Sequence, residues 1–465
     1  MRSMPARARR VDPGLLLAAP AVAFALLIAV STFNNPVWAT SDTYDVVNGT
    51  GPLDRCLHHG VFSNCESHYG RVAEFPLLQY LPTLAAKRLG SSRADALRNL
   101  IVLSAASFLG LLALLALVGR RAGAAAGAPL LVLVGLAGML VWYSEWGFAE
   151  SLAALLTLLV ACAAIWRWPP AVAALVTLVA GISKEPAPPL LVALALLALS
   201  GSFDQRARRT FIGVVIGAAL AVMANTGFNV FRYGTLYNAW YAQPGFATPG
   251  VGLKAGFFAA LGVSPNGGIL WFWPTAVGLI AVTVIAGRRA GAHPARIYGP
   301  AILPASLALV FATRHSPFGW SAWGPRYFVP WLPAIAAVGW TMFPRHSAEV
   351  LRGLARRPLA WAACGLVVIV LSVPQVNAFR DVWVAFDAFT EPGCEVKINV
   401  PAPYNPHYYS CVERLAWTHP PLLAKALTDV DSPVDALYDV LFVAAAGGLL
   451  LLARRQLLGT SVTTA

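Results

Sequence analysis

The sequence predicts an all-α polytopic membrane protein, a bundle of about 12 transmembrane helices within a range of roughly 10–13. Three observations carry that expectation. Of 465 residues, 58% are apolar and only 12% are Asp, Glu, Lys or Arg, whereas a soluble domain carries about 25% charged residues to cover its surface. Mean hydropathy is +0.64. Apolar runs of near-spanning length recur along the whole chain, and the basic residues crowd into alternate connections between them. Disorder, a fibrous repeat, a coiled coil and a cytosolic enzyme are excluded by this composition. A net charge of +13 does not indicate nucleic acid, because the basic residues are spread among short loops rather than gathered on one exposed face.

The first apolar run, 14–34, follows Arg2, Arg7, Arg9 and Arg10 as a signal peptide would. No small-residue cleavage site follows it, so it reads as a retained helix. Further spans are expected at 97–119, 128–143, 151–167, 210–231, 268–287, 299–313, 328–343, 359–375 and 436–453. The apolar stretch 171–200 is interrupted by Ser183-Lys184-Glu185-Pro186 and divides into two helices. Neither an internal repeat nor a second soluble domain is visible, so 1–465 reads as a single transmembrane domain.

A cytoplasmic N-terminus places nineteen arginines in about 70 residues of inner segments, and the other 15 basic residues in about 180 residues of outer ones. Cytoplasmic loops are the ones enriched in Lys and Arg, so both termini are expected inside. Disulfides persist on the oxidising side of a membrane. Cys56 and Cys65 both fall in the first outer loop, 35–96, and Cys394 and Cys411 in the last, 376–435. The expected pairs are Cys56 with Cys65 and Cys394 with Cys411, while Cys162 and Cys364 sit in spans. Richness in Ala and Arg, with almost no Lys inside, fits a GC-rich bacterial genome and hence a bacterial cytoplasmic membrane.

Ionisable residues near hydrocarbon are costly and invite a functional reading. They accumulate on the outer side: Asp42, Asp45, His58, His59, His68, Arg71, Glu74, Glu145, Glu150, Lys184, Glu185, Arg232, Arg314, His315 and Arg326. Asp42 follows the first span and is placed to act as a general base on a lipid-linked substrate, or simply to cap a short helix with Ser41. Ser67-His68-Tyr69-Gly70-Arg71 precedes an apolar stretch, 75–82, that reads as an interfacial helix. Glu150 starts a helix, where the dipole favours an anion. Lys184 follows 13 apolar residues, about 20 Å of helix, and so lies below the outer surface, where Glu185 or a lipid phosphate would partner it. Trp320-Ser321-Ala322-Trp323-Gly324-Pro325-Arg326-Tyr327 combines flat rings suited to sugars with a guanidinium suited to phosphate.

Together these segments resemble the GT-C class of membrane glycosyltransferases, in particular the bacterial protein mannosyltransferase and aminoarabinose transferase group. The resemblance is carried by Asp42 after the first span, Ser67-His68-Tyr69-Gly70, Phe148-Ala149-Glu150-Ser151-Leu152, Gly181-Ile182-Ser183-Lys184-Glu185 and Phe231-Arg232-Tyr233-Gly234. Ser264-Pro265-Asn266-Gly267-Gly268-Ile269-Leu270-Trp271 and Trp323-Gly324-Pro325-Arg326-Tyr327 complete it. Here His68 stands where such proteins often have Lys, and Asp42-Thr43 where Asp-Glu is usual.

The resemblance implies inverting transfer of a mannose- or arabinose-type sugar from a polyprenyl-phosphate donor to a glycan, lipid or protein acceptor on the outer face. Asp42 is then the base, with Asp45 in reserve. His68, Arg71, Lys184, Arg232 and Arg326 are the candidates for the donor phosphate. Tyr44, Tyr69, Glu150, Glu185, Tyr237, Trp320, Trp323 and Tyr327 are those for sugar and acceptor. No cofactor is expected; a bound divalent metal is the open alternative, although no ligand cluster has clear spacing for one. The alternative function is a transporter or lipid flippase; a purely structural role is the third.

Overall fold

The computed structural model describes residues 13–34, 41–72, 75–124, 126–145, 149–239, 250–313, 318, 324–380, 408–418 and 432–459. Among these residues there are helices and turns but no strand. A first long helix, α1 (Pro13–Asn34), leads into three helices of the segment 41–88, α2 (Ser41–His58), α3 (Cys65–Tyr69) and α4 (Leu77–Arg88). Then come α5 (Arg93–Arg121), α6 (Gly127–Leu136), α7 (Trp142–Glu145), α8 (Glu150–Ile165), α9 (Pro170–Gly181), α10 (Ala187–Leu199) and α11 (Gln205–Tyr233). They are followed by α12 (Val251–Val263), α13 (Ile269–Phe272), α14 (Pro274–Arg289) and α15 (Pro294–Ala312). A 3-10 turn at Arg326–Phe328 precedes α16 (Leu332–Met342), α17 (Pro344–Ala355), α18 (Pro358–Arg380), α19 (Tyr408–Thr418) and α20 (Pro433–Gly459).

Six helices, α1, α5, α11, α15, α18 and α20, are long and apolar enough to cross a membrane. The remaining expected spans differ from expectation in length. The helices α6, α8, α9, α10 and α16 hold 10–17 residues, as does α12, an apolar helix that the span assignment passed over. At 1.5 Å per residue the ten residues of α6 cover about 15 Å, half of a hydrocarbon core. The run expected as one span at 128–143 is in fact two helices separated by turns at 137–141. That at 268–287 breaks at Trp273.

Local chemistry sets the ends. Ser92 caps α5 in a full capping box with Asp95, and Arg120 and Arg121 close it where the dipole favours cations. Asp204 accepts from the Ala207 N–H to start α11, and Gly234, at φ 74°, ends it. Inside the bundle, α9 and α11 run parallel. A Cβ at Gly213 would lie 2.3 Å from the Pro170 carbonyl, one at Gly217 2.2 Å from that of Ala174, and one at Gly181 2.4 Å from the Ala221 methyl. Small residues four apart let the two backbones touch, which substitutes for hydrophobic drive where the surroundings are already apolar. Because α9 and α11 point the same way, α10 must return between them. The 182–186 connection is therefore a hairpin tip at the same end as Arg232.

The break between α6 and α7 lies in the core and is satisfied by side chains. Trp273 Nε1 donates to the Val134 carbonyl at 2.7 Å and Thr275 Oγ1 to that of Ala137 at 3.0 Å. Ser104 and Ser151 both donate to the Tyr143 carbonyl, at 2.8 and 2.9 Å. Broken backbone at this depth is tolerated only where protein groups take the freed carbonyls. A second apolar cluster, Val46, Leu53, Cys56, Cys65, Val72, Phe75 and Tyr80 with Leu100 and Phe228, fixes the segment 41–88 to α5 and α11. The Cys56–Cys65 disulfide lies within it, as expected from the sequence.

Candidate functional site

Three segments far apart in sequence meet at the hairpin-tip end of the bundle. Glu150 begins α8, Lys184 sits in the tip between α9 and α10, and Arg326 opens the 3-10 turn before α16. Lys184 Nζ and Arg326 Nε each stand 2.7 Å from the same oxygen, Glu150 Oε1. The two nitrogens are thus no farther apart than twice that distance. Glu150 is 1% exposed, and its second oxygen, Oε2, is buried without a hydrogen-bond partner. Burial of a carboxylate at this depth requires paired cations, and here there are two. The expected partner of Lys184 was its neighbour Glu185 or a phosphate; the structure gives it Glu150 instead.

Glu185 turns the other way and pairs with Arg232. Arg232 has no exposed surface, although it is charged and five-donor. Its Nη1 donates to the Phe75 carbonyl at 2.6 Å, and its Nε and Nη2 to Asn229 Oδ1 at 3.1 and 2.7 Å. The rings of Phe228 and Tyr233 each lie 4.6 Å from the guanidinium carbon. Asn238 Nδ2 donates to both Glu185 oxygens at 3.3 Å. A guanidinium committed to these partners acts as a bolt between the segment 41–88 and the hairpin tip. The same junction is closed by Tyr233 donating to the Val72 carbonyl, Leu78 N–H to that of Ile182, and Asn64 N–H to that of Val230.

The other sequence-derived candidates lie elsewhere or outside the described side chains. Helix α2 starts at Ser41, but the side chain of Asp42 lies outside the described residues, as do Trp320, Trp323, Arg314, His315 and Glu74. Asp45 is half-buried. Tyr44 lies under the Arg93 guanidinium at 5.4 Å, and Tyr69 stacks on His59 at 5.7 Å. His68 contacts Ser67 Oγ and the Asn64 carbonyl and is exposed, as is Arg71. Tyr237 is 60% exposed. Tyr327 is half-buried, packed on Phe311 with ring centres 5.0 Å apart. Cys411 is disulfide-bonded; its expected partner, Cys394, lies outside the described residues.

Sequence reading missed Asn229 and Glu66. Asn229 was accessible in principle, being three residues before Arg232 and so on the same helix face. Burial raises the Glu66 carboxyl above the ordinary range, against the pull of the Val72 N–H, Arg71 and Arg232, and its Oε2 is buried without a partner. Among the described residues no group of three or more His, Cys, Asp or Glu side chains is placed to hold a metal ion. No family model, curated protein or solved structure matches this chain.

Proposed function

We propose that this protein is an inverting glycosyltransferase that moves a sugar from a polyprenyl-phosphate donor to an acceptor hydroxyl at the outer face of a bacterial membrane. In this reading all 12 apolar segments lie within the membrane, the shorter ones completed by their flanking turns. The observation that carries the proposal is the pairing of Lys184 and Arg326 on one Glu150 oxygen at 2.7 Å. Two cations held at that spacing suit two oxygens of a single phosphate, and a guanidinium beside an ammonium stabilises charge as it develops on a leaving phosphate. The Cys56–Cys65 disulfide in the segment docked above them supports an outward, oxidising location.

The acceptor oxygen attacks the anomeric carbon from the face opposite the phosphate. The new carbon–oxygen bond forms as the sugar–phosphate bond breaks, and that electron pair leaves with the polyprenyl phosphate. Asp42 takes the acceptor proton, Lys184 and Arg326 meet the phosphate, and exposed His68 and Arg71 contribute at the rim. Arg232 and Glu185 act behind them by fixing the tip, so Arg232 does not itself touch phosphate.

The test is to incubate purified protein with a panel of polyprenyl-phosphate sugars and follow bound donor and transferred sugar by mass spectrometry. Asp42→Asn should abolish transfer while leaving folded protein and donor binding in place. Full activity in that variant removes Asp42 as the base, and failure of every donor to bind removes the enzyme. Transport is the second reading, favoured by the broken helix α6–α7, since discontinuous helices mark ion sites in transporters. Here the freed carbonyls of Val134, Ala137 and Tyr143 already accept from side chains, which leaves them poorly suited to an ion. Flux into proteoliposomes without any acceptor would favour transport.

A further inference from the structure

At the end of the bundle opposite Arg232, arginines are fixed in place without carboxylates. Arg288, in the last turn of α14, donates from Nε and Nη2 to the Tyr298 hydroxyl at 3.0 and 2.7 Å, and its guanidinium carbon lies 5.3 Å from the centre of that ring. Arg296, in the first turn of α15, lies 5.2 Å over the Phe343 ring, with its Nε buried and without a partner. Phe343 also packs on Gly287, where an added Cβ would meet it at 2.9 Å, and Arg288 and Arg296 stand at the two ends of the short connection from α14 to α15. Arg345 follows two residues after Phe343 and is exposed. The salt bridges of the described residues include none to Arg288, Arg296 or Arg345.

A guanidinium is ordinarily held still by the anion it serves. Two held still by aromatic faces, with a third beside them, form a preorganised anion site whose anion comes from outside the chain. Ile285 and Ile302, one helical turn or two further into the same helices, are 43% and 55% exposed. Apolar surface exposed directly below fixed cations, on helices of a membrane bundle, fits acyl chains beneath a headgroup. We infer that the α14–α15 turn binds the phosphate of an anionic phospholipid of the inner leaflet, held by Arg288 and Arg296 with exposed Arg345 contributing. This site is independent of the proposed transfer reaction and stands or falls separately.

The experiment uses the full chain purified in detergent, titrated with dioleoyl phosphatidylglycerol, dioleoyl phosphatidylcholine or soluble glycerol phosphate, with bound lipid counted by native mass spectrometry. Wild type should take up phosphatidylglycerol in preference to phosphatidylcholine. Arg288→Gln with Arg296→Gln should weaken the first by about thirtyfold and leave the second unchanged, at about 1 kcal/mol per cation near a membrane surface. Tyr298→Phe removes no charge and frees Arg288, so it should weaken phosphatidylglycerol by a smaller factor, and it serves if the double variant does not fold. Equal uptake of the two lipids, undiminished phosphatidylglycerol binding in both variants, or equal competition by glycerol phosphate would overturn the assignment.

Discussion

The two ends of the bundle hold their cations by opposite means. At the hairpin-tip end Lys184, Arg326 and Arg232 are each bonded to a carboxylate, and Arg232 has no exposed surface at all. At the opposite end Arg121, Arg288 and Arg296 rest on the rings of Trp166, Tyr298 and Phe343 at 4.7, 5.3 and 5.2 Å. Arg167, paired with Asp204, is the exception there. The difference follows depth. A cation taken out of water needs a counter-charge of its own, whereas one at the water boundary is served by solvent and headgroups and needs only a surface to lie on. Charges at the first end are thus matched by carboxylates of the bundle itself, whereas Arg121, Arg288 and Arg296 at the second rest on rings instead.

Removing one partner should therefore cost most at the tip end. Glu150→Gln leaves two half-buried cations without their shared anion, and Arg232→Ala takes from Glu185 its cation and from Asn229 and the Phe75 carbonyl the guanidinium that donates to them. Each should lower stability by about 3–5 kcal/mol, read as a fall in melting temperature of the purified protein. Arg232→Lys should recover only part, since an ammonium lacks the planar fork that reaches three partners together. The double variant Arg232→Met with Glu185→Met should cost less than either single change. In contrast, Arg288→Gln should cost at most about 1 kcal/mol. Equal losses at the two ends would break the distinction drawn between them.

Which parts of this arrangement the sequence discloses follows from the range of the interactions. The long apolar helices, the hairpin split at Ser183–Pro186, the start of α8 at Glu150 and the Cys56–Cys65 bond depend on local patterns of apolar residues, prolines and cysteines, and are legible. Partner choice is not. Glu185 is adjacent to Lys184, yet adjacent side chains on a tight tip diverge, and the anion Lys184 finds is 34 residues away. Arg326 reaches Glu150 across 176 residues. The break after Leu136 lies within an unbroken apolar run, and the group that stabilises it, Trp273, is 139 residues away. Arg232 reads as a phosphate ligand in a basic, aromatic segment, but only the docked first segment reveals that its donors are already committed.

The disulfide sharpens the comparison at an intermediate level. Cys56 and Cys65 are nine residues apart and hold α2 to α3. Closing a loop of that size removes about 2–3 kcal/mol of entropy from the unfolded chain. Cys56→Ser with Cys65→Ser should lower the melting temperature accordingly, and reductant should do the same to wild type only to the extent that Cys411 is not also reduced. Because the second apolar cluster surrounds this bond, the loss should fall on the segment 41–88 and be seen there first by hydrogen exchange. Uniform loss of protection across the long helices would mean that the segment does not fold as a unit on the bundle.

The smallest expected effect is set by pH and separates two carboxylates of that same segment. Asp54 is pulled below the usual range, since its burial is outweighed by hydrogen bonds and charge from Arg88 and Lys87 at 3.1 and 3.4 Å. Its contribution is present above the ordinary aspartate range and is lost as the pH falls through its lowered value. Glu66 runs the other way, with burial raising it. Its contribution is complete below the ordinary glutamate range and is lost as pH rises through the raised value, because the unfolded chain ionises first. Glu66→Gln holds that side chain neutral at every pH and supplies an N–H donor. The variant should match wild type in melting temperature near pH 4 and exceed it at pH 7, with the gain confined to the segment 41–88. A variant less stable than wild type at pH 7 would mean that the ionised Glu66 is held by Arg71 and Arg232 more strongly than burial opposes it. The junction would then resemble the carboxylate-paired cluster at Glu150 rather than a neutral contact.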